Sequence, residues 1–245
     1  MTSVDSVSLE QMEAFAELGY VVLPQVLPPP IIEFATRAIE DLKQREPPPP
    51  QGHHAYWLTP PDPFLSLLFD TPALPLIESL IRPNKLIVPI TAQVALNIPP
   101  HDHRPGAPHI DGITPPEDDG RPGTFTMLAG FFLTDQHVEN MGNIWVWPGT
   151  HRACADYFSE HGPEALTQTI LYPPVTLPRP RQVLGRAGDL LLAHYMLGHN
   201  IGGNTSTTTR QVVYFRLHRS GHRESWRDYV QDILHDFEPV RRALK

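Results

Sequence analysis

The stretch Asp189-Leu-Leu-Leu-Ala-His194-Tyr-Met-Leu-Gly-His199-Asn-Ile-Gly-Gly-Asn204, followed by Arg210-Gln-Val-Val-Tyr-Phe-Arg-Leu-His218, sets the fold class. An apolar run of strand length carries a histidine to a glycine-rich bend, and the next β-branched and aromatic run opens on an arginine. Working outward, residues 85–98, 124–134 and 143–147 read the same way, so strands are expected there and at 189–194 and 210–218. Proline and glycine punctuate the intervals. The 29 prolines among 245 residues are more than twice the usual share of about 5%. Proline is excluded from helix interiors and central strands, which favours short elements joined by long ordered loops.

Upstream the period changes to that of a helix. Ser8-Leu-Glu-Gln11 is a capping-box pattern, with Gly19 as the stop and a short strand at residues 20–23. A second helix is expected from Pro30, ending before Pro47-Pro48-Pro49-Pro50, and residues 47–57 are read as a stiff loop. Residues 64–82 are read as an interrupted helix, with a short helix near 154–161 and an amphipathic C-terminal helix carrying Trp226, Val230 and Ile233. Helices followed by many strands predict a mainly β jelly roll with N-terminal and C-terminal helices packed outside it. The expectation is a single domain over residues 1–245: a mostly helical flank at 1–84, a β core at 85–218 and a C-terminal helix at 222–245.

Composition narrows the partners. A formal net charge of −8 disfavours a nucleic-acid face or an anionic-membrane binder. The lone Cys154 is incompatible with a disulfide scaffold and suits a reducing compartment. The opening MTSVDSVSLEQ has neither the basic nor the apolar region of a secretory leader, so a cytoplasmic protein is expected. Oligomeric state is not readable.

The chemistry-bearing residues begin with His109-Ile110-Asp111. Two apart in a strand, the imidazole and the carboxylate face one side and can converge on a metal. Chance alone supplies about one such pair in a chain with 13 histidines. Order gives it weight. His-x-Asp, a distal His199 and then Arg210 on the adjoining strand suit a metal held by two histidines and a carboxylate on one face, with three adjacent positions open. A 2-oxo acid can fill two positions and dioxygen the third, with the acid's far carboxylate gripped by an arginine fork.

The sequence resembles the phytanoyl-CoA dioxygenase-like family of Fe(II)/2-oxoglutarate-dependent oxygenases. The resemblance rests on the opening run from Leu9 to Leu23, on Leu133-Thr-Asp135 through Asn140-Met-Gly142-Asn-Ile-Trp-Val-Trp-Pro148-Gly149-Thr150-His151, and on the spacing of His109, Asp111, His199 and Arg210. Where the family has Asn directly before Gly, Met141 intervenes here. The resemblance implies a double-stranded β-helix and Fe(II), 2-oxoglutarate and O2 as cofactor and co-substrates. It further implies His109, Asp111 and His199 as metal ligands and Arg210 as the co-substrate anchor. Halogenating relatives lack the carboxylate, so Asp111 favours hydroxylation or a related oxidation of a small molecule, with release of succinate and CO2.

Softer candidates surround these. Gln93 and Asn97 share a strand face and either reach co-substrate or substrate or stitch the sheet. Thr126 either donates to the co-substrate carboxylate or is an ordinary strand residue, and Trp145 lines the substrate pocket or belongs to the core. His194 is a rival distal ligand or a core histidine. His101 and His103 flank Asp102 in a loop, His151 suits a structural hydrogen bond, and His53-His54 has no identifiable partner. Two other functions use the same residues: a zinc hydrolase with a metal-bound water, which leaves Arg210 without a role, and a non-catalytic jelly-roll binding protein.

Overall fold

The structure is a computed structural model that describes residues 6–113, 116–169 and 171–245. Helix α1 (Leu9–Leu18) starts on the expected capping box: Ser8 Oγ accepts from the Gln11 amide, and the Gln11 side chain accepts from the Ser8 amide. It leads into β1 (Tyr20–Leu23), α2 (Pro29–Arg45) and β2 (Gly52–Leu58). Then come α3 (Ser66–Phe69), α4 (Ala73–Ile81), β3 (Leu86–Ile87), β4 (Ala92–Ile98), β5 (Met127–Phe132) and β6 (Trp145–Val146). The chain closes with α5 (Thr150–His161), α6 (Ala165–Gln168), β7 (Arg181–Gln182), β8 (Leu190–His194), β9 (His199–Asn200), β10 (Arg210–Arg219), α7 (Trp226–Gln231) and α8 (Glu238–Ala243).

The strands form a double-stranded β-helix. The larger sheet is antiparallel in the order β1-β8-β5-β10-β4-β2, with β3 also pairing β10; the smaller has the order β7-β6-β9. Single antiparallel bridges also join His109 to His199, His101 to Asn204 and Met141 to Asn204. Strands β5 and β8 are buried along their whole length, which is why they read as unbroken apolar runs. Phe15, Leu80, Phe131, Leu191, Phe215, Tyr229 and Phe237 belong to the core that joins the sheet to its helices.

Three expectations need correction. The segment read as a stiff loop contains β2, because β4 would otherwise be an unpaired edge and its amide groups find partners along seven register positions, from Gly52–Ile98 to Leu58–Ala92. The helical flank therefore supplies two strands, β1 and β2, to the sheet. The single strand expected over residues 85–98 divides into β3 and β4 around Pro89. The C-terminal helix is two short ones, interrupted between Gln231 and Glu238, where Asp236 turns inward to buried partners.

Candidate metal centre

His109 and His199 are neighbours because their backbones pair: the His109 amide donates to the His199 carbonyl at 3.0 Å. Their rings sit 4.5 Å apart, centroid to centroid. Asp111, two residues on, turns its carboxylate between them, with Oδ1 3.4 Å from His109 Nε2 and Oδ2 3.8 Å from His199 Nε2. The three donor atoms lie within 4.8 Å of one another, and among the described residues no other histidine, cysteine or carboxylate cluster does so. His199 Nδ1 lies 3.0 Å from the Leu197 carbonyl, which can only accept, so Nδ1 carries a proton and Nε2, turned to Asp111, is the nitrogen that a metal would bind in place of its proton.

Asp111 is held by more than the imidazoles. Arg216 Nη2 donates to its Oδ2 at 2.6 Å. Burial opposes ionisation of Asp111, but hydrogen bonds from both histidines and the charge of Arg216 keep its carboxyl well below the usual carboxylate range. Burial lowers the pKa of His109. Burial acts the same way on His199, yet the hydrogen bond to Asp111 raises it above the ordinary value.

Facing the triad across a cavity of about 140 Å³ is one face of the large sheet. Residues two apart share a side of a strand, so β10 presents Arg210, Tyr214 and Arg216 together. In register beside them stand Gln93 and Asn97 of β4, and then Trp57 and His53 of β2. Arg210 is 3% exposed; its Nε donates to Gln136 Oε1 at 3.4 Å and its Nη2 to the Tyr214 hydroxyl. Among the described residues its Nη1 has no partner. Gln136 Nε2 and His53 Nδ1 are buried without one. Burial, reinforced by the charge of Arg210, pushes the His53 imidazole down to about 4, so it is neutral near pH 7.

Of the residues singled out in the sequence, His109, Asp111, His199, Arg210, Gln93 and Asn97 line this one cavity. Asn97 also stitches: its Nδ2 donates to the Gly202 carbonyl at 2.6 Å and its Oδ1 faces His101 Nδ1 at 3.2 Å. Two do not line it. Thr126 lies just before β5, beside the C-terminal segment, where its hydroxyl donates to Asp236 Oδ2 at 3.0 Å and accepts from the Arg219 amide at 3.0 Å. It has no hydroxyl proton left for a co-substrate. Trp145 sits between Gln182 and Asn200 in the small sheet, and its ring lies against Gly202, where a side chain's first carbon would come within 2.7 Å.

His194 is a core residue. Its Nδ1 accepts from the Met196 amide and its Nε2 donates to the Ile233 carbonyl, so neither nitrogen is free for a metal. His151 donates to the Ala16 carbonyl, and His101 stacks on His103. The sequence reading missed Arg216, Trp57, His53, Tyr214 and Gln136. The period of two along 210–216 was the available signal for Tyr214 and Arg216. His53 and Trp57 were hidden once their segment was read as a loop.

Comparison with known proteins places the chain in a family and its fold among solved ones. The family model for phytanoyl-CoA dioxygenase (PhyH) matches residues 15–212. The fold is similar to HygX from Streptomyces hygroscopicus, crystallised with nickel and 2-oxoglutarate, at a TM-score of 0.60 and 19% identity over 88% of each chain. It is also similar to SnoK, a non-heme alpha-ketoglutarate-dependent carbocyclase from nogalamycin biosynthesis, at 0.60 and 18% over 87% of this chain and 84% of that one. AviO1 from Streptomyces viridochromogenes Tue57 gives 0.59 and 15% over 86% and 96%. A search of curated proteins gives no match.

Proposed function

The chain belongs to the phytanoyl-CoA dioxygenase family, and from that premise we propose that it is an Fe(II)/2-oxoglutarate-dependent oxygenase that hydroxylates a small molecule. In the balanced reaction one oxygen atom of O2 enters a substrate C–H bond and the other enters succinate, with loss of CO2 from 2-oxoglutarate. The observation that carries the reading is the juxtaposition of a His-Asp-His donor set, within 4.8 Å, with a buried arginine that has donors to spare across a small cavity.

The residues fit the groups they would hold. Two neutral imidazoles and one carboxylate on a single face are the donor set of non-haem Fe(II) oxygenases. The Gln136 Nε2, buried without a partner, and the positive charge of Arg210, 3% exposed beside it, call for an anion. When bound, the iron and 2-oxoglutarate supply the activation of O2. His109, Asp111 and His199 would hold the metal, with the Leu197 carbonyl fixing the tautomer of His199. Arg210 would take the distal carboxylate of 2-oxoglutarate as a planar fork, its guanidinium oriented by Tyr214 and Gln136. Neutral His53 adds a polar edge without a competing charge. Among the described residues Asp111 is the only carboxylate lining the cavity, which gives a hydrolase no second acid there to serve as general base and favours the oxygenase.

Its setting follows from smaller features. Among the described residues no helix is long and apolar enough to cross a membrane. Cys154, the one thiol, is fully buried. A soluble, single-domain enzyme of the cytoplasm acting on a small molecule is the reading these support.

Anaerobic addition of Fe(II) and then 2-oxoglutarate to metal-free protein tests the reading. A visible metal-to-ligand charge-transfer band is expected, lost in His199→Ala and requiring several-fold more 2-oxoglutarate in Arg210→Ala. A protein that binds zinc and gives no band with Fe(II) and 2-oxoglutarate contradicts it.

A further inference from the structure

Next to the metal cavity lies a groove of about 560 Å³, within the roughly 300–1,000 Å³ typical of small-molecule sites. Two residues, Trp57 and Arg216, line both. One wall of the groove is apolar and open: Trp57, Ile87, Val88 and Ile90 are 57%, 52%, 54% and 76% exposed. Large apolar side chains gathered at a surface mark a binding face.

The charges around the groove are mostly spent on one another. Arg223 reaches Glu117 and Asp119, Arg121 pairs with Asp119, and Arg219 Nε donates to the buried Asp236 at 2.6 Å. Burial pushes His218 down to about 4, so it adds no charge near pH 7. Arg216 differs, because its carboxylate partner is the metal ligand Asp111. Counting a divalent cation, Asp111, a dianionic 2-oxo acid, Arg210 and Arg216, one positive charge is left over. Its place is fixed: the Arg216 guanidinium lies 4.7 Å from the Trp57 ring and 5.9 Å from that of Phe125, both its terminal nitrogens also donate to Gln93 Oε1 at 3.4 Å, and its side chain stays 25% exposed where it lines the groove.

We infer that this groove is the substrate site and that the substrate is a compact apolar monocarboxylic acid. Its carboxylate sits on Arg216, and its body lies along Trp57, Ile87, Val88 and Ile90. Because Arg216 touches Asp111, the carbons oxidised are those close to the carboxylate. The inference rests on the oxygenase reading and adds the substrate class to it.

The test uses enzyme loaded anaerobically with Fe(II) and 2-oxoglutarate, titrated with 4-phenylbutyrate or its primary amide and followed by tryptophan fluorescence. The acid is expected to bind at least about tenfold more tightly than the amide, the scale of a charge-assisted contact. The preference should vanish in Arg216→Gln, and the fluorescence change in Trp57→Phe. Ile90→Asp, at an exposed position where folding is not at stake, should weaken the acid at least about fivefold, and it carries the test if Arg216→Gln loses its fold or its metal. Absence of the charge-transfer band in the wild type overturns the oxygenase reading and this inference together. A normal band with equal binding of acid and amide, or with Ile90→Asp without effect, overturns this inference alone. A dimer split by Ile90→Asp with acid binding unchanged also overturns it, since the apolar wall would then be a self-interface.

Discussion

At the scale of single residues the site combines side chains legible in sequence with others that only the fold could supply. His109 and Asp111 were visible because two residues share a strand face, and His199 and Arg210 because their order suited one mechanism. Arg216 was not, since its meaning comes from Asp111, 105 positions away, and nothing local distinguishes it from a surface arginine. Thr126 shows the converse: its chemistry suited a co-substrate, but Asp236 and the Arg219 amide claim its hydroxyl. Arg210 gives a residue-scale prediction. Arg210→Lys keeps the charge but loses the Nε bond to Gln136 and the planar fork. The expected result is a roughly tenfold weaker Kd for 2-oxoglutarate in the anaerobic titration, with Fe(II) binding unchanged. An unaltered Kd would remove Arg210 from the role of anchor.

At the scale of elements, long runs with a clean period were readable and short pieces were not. Strands β4, β5 and β10 announce themselves through β-branched and aromatic residues, and β8 through its unbroken apolar run. By contrast β6, β7 and β9 span two residues each, too few for any period, and β2 follows four prolines and carries two histidines. What makes β2 a strand is the exposed edge of β4, a tertiary cause absent from its own sequence. The turn after Asp111 gives the prediction here. Gly112 has φ +75°, and a Cβ there would come within 2.1 Å of the Gly123 carbonyl oxygen. Backbone cannot yield as a side chain can, so Gly112→Ala must displace the turn that aims Asp111. More than tenfold weaker Fe(II) binding is expected by anaerobic metal titration. Gly120→Ala is the control: at φ +80° its Cβ meets nothing within 4 Å, so it carries only the left-handed backbone cost of about 1–2 kcal/mol and leaves metal binding alone.

At the scale of the whole molecule, buried neutral histidines couple folding to pH. Burial holds His151 at about 4 against its ordinary 6.5, the hydrogen bond to Ala16 only partly opposing it, and His194 is held well below its ordinary value. A folded-state pKa below the unfolded one means that the unfolded chain binds more protons. Stability is therefore complete above pH 6.5 and is lost as pH falls from there towards 4. His151 alone accounts for about 2 kcal/mol at pH 5, and His199, whose pKa is raised, opposes it only in part. Thermal denaturation of the metal-free protein should show Tm falling by roughly 5 °C or more between pH 7 and pH 5; a flat profile would contradict the burial of these rings as neutral groups. Strand β10 has a different consequence. It carries Arg210, proposed as the co-substrate anchor, the groove-lining Arg216 and the Asp236 partner Arg219 on one unbroken ten-residue strand. Six residues of extended chain measure about 20 Å, so the strand is a ruler whose marks cannot slide past one another. Diversification of the chemistry is thereby confined to what lies alongside the ruler. Swapping residues 87–90 for another wall would change what is oxidised while the stroke from co-substrate to target keeps its length.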